Sequence, residues 1–167
     1  MAESALTAQV MVDTLKRSGV THMVWLPDTE SGYLHQKLHD DPDLTLVPVA
    51  REGETFAIAL GLLIGGKQPL VCIQNTGLFE SGDSVRGLWL DLQLPLLALI
   101  GYRGYAGGGP SEDSAATFLE PILKAWGVPY AIVESDEDVV ETVPRMFRQA
   151  KERPGPAAVL IGGEYSA

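Results

Sequence analysis

Glu52 stands where an acidic side chain can do chemistry. It follows the apolar run LTLVPV (44–49) and opens the Ala/Gly-rich segment EGETFAIALGLLIG (52–65). If the first is a strand and the second a helix, the carboxyl sits at a helix start, where aligned peptide dipoles favour negative charge. Val49, Ala50 and Phe56 can keep it partly dry. Acids in a first helical turn are also common for ordinary reasons, so position alone leaves both readings open. Three other segments follow apolar runs in the same way: Pro27-Asp28 after HMVWL, Gln74-Asn75-Thr76-Gly77 at the end of PLVCIQ, and the loop GYRGYAGGGP (101–110) after PLLALI. Asp28 suits the cap of the next helix. Arg103, in the glycine loop, suits either pairing with an anionic group or plain solvation.

Several patterns resemble sites and fail on inspection. Gly61 to Gln68 (GLLIGGKQ) approaches a phosphate-binding loop, but Gln68 stands where a metal-binding Ser or Thr is needed. The segment also runs from helix into strand, which fits a glycine helix stop with an exposed lysine. His35 and His39 lie one helical turn apart, yet Gln36 replaces the glutamate of the zinc-protease motif and spacing supplies no third ligand. Gly101, Gly104 and Gly107 are not a dinucleotide fingerprint, since no helix begins directly after them. Gly53, Ala57, Gly61 and Gly65 fall four residues apart and make a nearly bare helix ridge. Such a ridge admits close approach, by the chain's own sheet or by another surface.

The elements that position these residues alternate. Helices are expected over about 4–17, 29–39, 52–64, 79–92, 114–126 and 136–152, with Ser135 and Asp138 spaced as a capping box. Apolar runs at 22–26, 44–49, 69–74, 95–100, 130–133 and 157–161 read as buried strands. Strands that alternate with helices predict a doubly wound α/β domain, a six-stranded mainly parallel sheet with helices on both faces. Ligands bind beyond the carboxyl ends of such strands, which is where Pro27-Asp28, Glu52, Gln74–Gly77 and Arg103 fall.

Composition bounds the rest. The chain has 167 residues, 46% hydrophobic and 20% charged, an ordinary folded composition and a length suited to one domain spanning 1–167. With 12 basic and 22 acidic residues the net charge is −10, which disfavours nucleic acid and anionic membranes as partners. One cysteine, Cys72, excludes an intrachain disulfide framework and fits a reducing compartment. MAESALTAQ has no basic segment before an apolar run, and no apolar stretch reaches membrane-spanning length, so a cytoplasmic protein without a signal peptide is expected.

AREGETFAIALG (50–61), GGKQPLVCIQNTG (65–77) and LPLLALIGYRG (94–104) together resemble the pyrimidine-binding domain of thiamine-diphosphate-dependent decarboxylases, of the sulfopyruvate and phosphonopyruvate decarboxylase type. The resemblance implies that Glu52 contacts N1′ of the cofactor's aminopyrimidine, favouring the tautomer whose N4′ takes the thiazolium C2 proton. It implies that Pro27 and Asp28 face the active site, with Asp28 serving proton transfer. It also places Gln74, Asn75, Thr76 and Gly77 in a loop bordering the ring, and lets Arg103 meet a substrate carboxylate or sulfonate. Relatives continue with Gly-Asn after the leucine matching Leu78, whereas this chain has Phe79-Glu80, which bears on substrate choice. The Gly-Asp-Gly motif that holds Mg²⁺ and the diphosphate in this family has no counterpart; Gly82-Asp83-Ser84 does not supply it. The resemblance therefore implies an alpha subunit acting with a beta-type partner that holds Mg²⁺ and the diphosphate. The substrate would be a 2-oxo acid and the assembly a hetero-oligomer. A non-catalytic ligand-binding or structural subunit is the alternative.

Overall fold

A computed structural model describes residues 6–27, 32–39, 41–106 and 108–166. The first half runs β1 (Leu6–Thr7), α1 (Ala8–Arg17), β2 (His22–Trp25), α2 (Gly32–His39), β3 (Thr45–Pro48), α3 (Gly53–Ile64) and β4 (Pro69–Gln74). Next come α4 (Asn75–Glu80), the short turn α5 (Gly82–Ser84) and a π-helical segment, Val85–Leu90. The rest is β5 (Leu97–Gly101), β6 (Tyr105–Ala106), β7 (Gly109–Pro110), α6 (Ser114–Ala125), β8 (Tyr130–Val133), α7 (Asp136–Glu152), β9 (Ala157–Ile161) and β10 (Tyr165–Ser166).

The six apolar runs form one sheet of order β3-β2-β4-β5-β9-β8, parallel throughout. Parallel strands covered on both faces need continuous rather than alternating apolarity; β9 is buried at all five positions and β4 at five of its six. Met11, Leu15, Leu34, Leu38 and Phe147 bring α1, α2 and α7 onto one face. Phe56, Leu78, Trp89, Leu119 and Leu123 bring α3, α4, the π-helical segment and α6 onto the other. The doubly wound expectation holds. The chain leaves β2 for β3 at the sheet edge, then crosses back to β4 on the other side of β2. The β2–β4 boundary is thus a topological switch point, where ligands of open parallel sheets gather.

Several boundaries differ from the expectation. The helix expected over 79–92 begins at Asn75, because Gln74 is extended (φ −80°, ψ 161°) and ends β4 while Asn75 already turns. It stops at Ser81, whose backbone N–H and hydroxyl both donate to the Gly77 carbonyl, at 2.9 and 2.7 Å. The remainder winds as a π-helix that points Trp89 inward, with its indole N–H on the Leu96 carbonyl at 3.0 Å. The loop expected over 101–110 contains the β6–β7 antiparallel pair, and the first helix is preceded by β1, which pairs in parallel with β10. Gly19 (φ 84°) ends the first helix as expected, and Ser135 Oγ accepts from the Asp138 N–H at 3.1 Å. Among the described residues, no helix is long and apolar enough to cross a membrane.

Candidate functional site

Glu52 is the N-cap residue of α3, yet it has helical dihedrals (φ −61°, ψ −38°) and its side chain makes no capping hydrogen bond. A capping acid normally sits in the extended region and folds over its own helix end. Other groups hold the turn here. Thr55 donates to the Glu52 carbonyl through its N–H (3.0 Å) and its hydroxyl (2.6 Å). The Glu54 carboxylate reaches back to the Ala50 N–H at 3.2 Å. Glu80, at the end of α4, accepts from the Gly53 N–H at 3.1 Å with Oε2 and from Arg51 Nε with Oε1. Phe56 is fully buried below, its ring 5.4 Å from that of Trp89, and seats α3 on the sheet.

The Glu52 side chain lies against Gly77. A β-carbon placed on Gly77 would stand 2.4 Å from Glu52 Cγ and 2.8 Å from Oε1, closer than atoms can approach. The bare backbone of α4 is therefore a cradle for this carboxyl group. Gly77 belongs to the first turn of α4 rather than to a loop, which corrects the loop expected over 74–77. Thr76 Oγ1 donates to Gln74 Oε1 at 2.8 Å, so the two polar side chains nearest the strand end are mutually oriented.

Asn75 is completely buried. Its Nδ2 donates to the Arg103 carbonyl at 2.9 Å and its Oδ1 accepts from the Thr76 N–H at 3.0 Å. These bonds tie the start of α4 to the segment after β5. Arg103 itself is exposed, with Nε 3.3 Å from Asp113 Oδ2. Together with Tyr102, Tyr105 and Glu164 it lines a cleft of about 200 Å³ at the carboxyl ends of β4, β5 and β9. Burial, together with the neighbouring Glu120 carboxylate, pushes the Tyr102 phenol up, so it stays a neutral donor to Glu120 (3.2 Å) and braces the base of this segment. Pro27 is exposed just beyond β2, and Asp28 lies outside the described residues.

Five positions named from sequence thus meet at the carboxyl ends of β3, β4 and β5: Glu52, Gln74, Asn75, Thr76 and Gly77, with Arg103 adjoining through Asn75. Glu80 and Arg51 were not among them. The one signal for Glu80 was the Phe79-Glu80 departure from the pattern that the resemblance implies; its pairing with Arg51 crosses 29 positions, which no local pattern reveals. The decoys resolve plainly. Gly66 (φ 74°) ends α3, and the Lys67 N–H returns to the Leu62 carbonyl at 2.9 Å, which is a helix stop. His35 and His39 stack with ring centroids 6.0 Å apart. No group of three or more His, Cys, Asp or Glu among the described residues is arranged to hold a metal ion.

With this geometry in place, comparison with known proteins is decisive for the family. The family model for the thiamine pyrophosphate enzyme, N-terminal TPP binding domain, matches residues 6–117. The chain belongs to this family. The chain is 23% identical over 154 residues to the sulfopyruvate decarboxylase subunit alpha of Methanocaldococcus jannaschii, covering 92% of this chain and 91% of that one. It is 24% identical over 149 residues to the subunit of the same name from Methanococcus maripaludis, covering 89% of each. A crystal structure of a Mycobacterium smegmatis protein assigned as a thiamin diphosphate-dependent enzyme shares the fold, with a TM-score of 0.71 at 22% identity. That match covers 98% of this chain and 32% of the larger one.

Proposed function

We propose that this chain is the alpha subunit of a heteromeric thiamine-diphosphate-dependent decarboxylase acting on a 3-substituted 2-oxo acid of the sulfopyruvate or phosphonopyruvate type. The observation that carries the proposal is the Glu52 side chain seated on Gly77 at the switch point, with no capping bond to its own helix. A carboxyl group held there suits a heteroaromatic nitrogen. Thiamine diphosphate, when bound, supplies a nucleophilic thiazolium carbon and an electron sink for loss of CO₂.

The chain's own part is binding, orientation and proton control. Glu52 holds a proton shared with N1′ of the aminopyrimidine, and the cradle at Gly77 fixes where that proton lies. Gln74, Thr76 and Pro27 border the ring; Asn75 keeps the turn of α4 in register with Arg103. Arg103, at the rim of the cleft, meets the anionic group of the substrate, with Asp113 orienting the guanidinium. Asp28 serves a later proton transfer. Mg²⁺ and the diphosphate fall to a beta-type partner subunit, in a cytoplasmic complex. The subunit naming of the relatives supports a partner. So does the ridge of α3, whose Ala57, Gly61 and Gly65 are exposed, with Ile64 beside them 80% exposed.

The test is direct. The chain, combined with the subunit that co-purifies with it, thiamine diphosphate and Mg²⁺, is expected to release CO₂ from sulfopyruvate or phosphonopyruvate. Glu52→Gln is expected to lower kcat about 10²- to 10⁴-fold, the range for removing a positioned proton donor. Full activity of that variant overturns the role given to Glu52.

A further inference from the structure

Glu52 faces two demands that conflict. As the N-cap of α3 it would ordinarily spend its carboxylate on the exposed N–H groups of its own helix. As a ligand for a bound ring it must keep those oxygens available and in one place. In the structure the first demand is met by a different acid. Glu80 comes from the end of α4, with one oxygen on the Gly53 N–H at 3.1 Å and the other on Arg51 Nε. The residues on either side of Glu52 are therefore held by one carboxylate from a neighbouring helix. A β-carbon on Gly53 would stand 3.6 Å from Glu80 Oε2, an ordinary contact, and 3.3 Å from Ser84 Oγ, a tight one, so α3 and α4–α5 meet closely here. The same helix, α4, carries both Glu80 and the cradle residue Gly77, so the clamp also fixes the distance between Glu52 and its seat.

We infer that Glu80 is a positioning residue for Glu52, capping α3 and gripping Arg51 so that the Glu52 carboxyl is left free and aimed over Gly77. The inference rests on the role proposed above for Glu52. It gives the Phe79-Glu80 departure a function: the acid serves the geometry of the proton-handling group through Arg51 and Gly53 and does not touch the substrate.

The clamp is partly exposed, and exposed ion pairs contribute little to stability, so Glu80→Ala is expected to keep the melting temperature within about 4 °C of the parent. In the assembled enzyme it is expected to lower kcat about 10- to 100-fold, the scale of a small misplacement of a reacting group. KM for the 2-oxo acid should change little. Glu80→Gln, which keeps an oxygen for the Gly53 N–H, is expected to recover part of the loss. Arg51→Ala combined with Glu80→Ala should be no worse than Glu80→Ala alone. An activity-independent readout is the nuclear Overhauser contact between the Glu52 Hγ protons and the Gly77 Hα protons in the full chain, expected in the parent and lost in Glu80→Ala. Retention of that contact in Glu80→Ala, or retention of full kcat, overturns the inference. If Glu52→Gln is fully active, the role of Glu52 fails instead. The Overhauser measurement still decides whether Glu80 positions it.

Discussion

The Glu52 side chain occupies the volume that a methyl group on Gly77 would fill, with Cγ 2.4 Å from where that carbon would stand. Sequence separates the two by 25 positions; the crossing from β3 to β4 brings them together. The contact makes α3 and α4 a matched pair, since the chemistry offered by one depends on the emptiness of the other.

Gly77→Ala separates function from stability. The nearest atom in the way is Glu52 Cγ, so the whole Glu52 side chain must rotate about its Cα–Cβ bond to clear the new methyl group, while the backbone at Gly77 has no left-handed dihedral to protect. Stability to urea is therefore expected to change by less than about 1 kcal/mol, within the range of mild substitutions. Decarboxylase activity of the assembled enzyme is expected to fall about 10²-fold, since the Glu52 carboxyl can no longer occupy its seat. Activity close to the parent level would show that the seat is unimportant.

Asn75→Ala is expected to behave in the opposite sense. It removes a buried side chain that donates to the Arg103 carbonyl and accepts from the Thr76 N–H. Leaving those backbone groups unsatisfied is expected to cost about 1–3 kcal/mol of stability. Urea denaturation measures the loss, and faster amide exchange across 101–106 should accompany it.

Acid weakens the clamp on α3. The Arg51 guanidinium beside Glu80 holds its carboxyl below the ordinary value of 4.5. A depressed value in the folded state means stability that is complete above the unfolded value and lost as pH falls through the folded one. The melting-temperature difference between the parent and Glu80→Ala is thus expected to be constant from neutrality to about pH 5 and to vanish in stronger acid. A difference that grew on acidification would contradict the pairing.

Gly61 tests the exposed ridge of α3. It lies within the helix, and a β-carbon there would meet nothing within 4 Å. Gly61→Ala should stabilise the isolated chain by about 0.5–1 kcal/mol through the lower flexibility of its unfolded state. Gly61→Trp should leave the isolated chain folded and weaken assembly with the partner subunit, as read by sedimentation. Unimpaired assembly would place the interface elsewhere.

Much of this was legible in the sequence, for a physical reason. Strands buried on both faces must be apolar throughout, so PLVCIQ and AAVLI announce themselves, and glycine stops and Ser135 mark helix ends without tertiary help. Glu52 could be picked out because the end of an edge strand and the start of an Ala/Gly helix are both local features. Two-residue ladders such as β1–β10 and β6–β7 are too short to show periodicity, and only distant partners define them. The early start of α4 escaped because Asn75, Thr76 and Gly77 all favour turns; burial of Leu78 and the bonds of Asn75 override that preference. Glu80 escaped for the same kind of reason, because its partners are set by how α4 lies beside α3.

The parallel pairing of Leu6 with Tyr165 and of Thr7 with Ser166 knots the first described strand to the last. Among the described residues neither has a second strand beside it, and β1 is further held by Thr7, whose N–H and hydroxyl donate to the Asp136 carboxylate at 2.7 and 3.0 Å. Cleavage within either strand is therefore expected to loosen the other, although some 160 residues of chain lie between them.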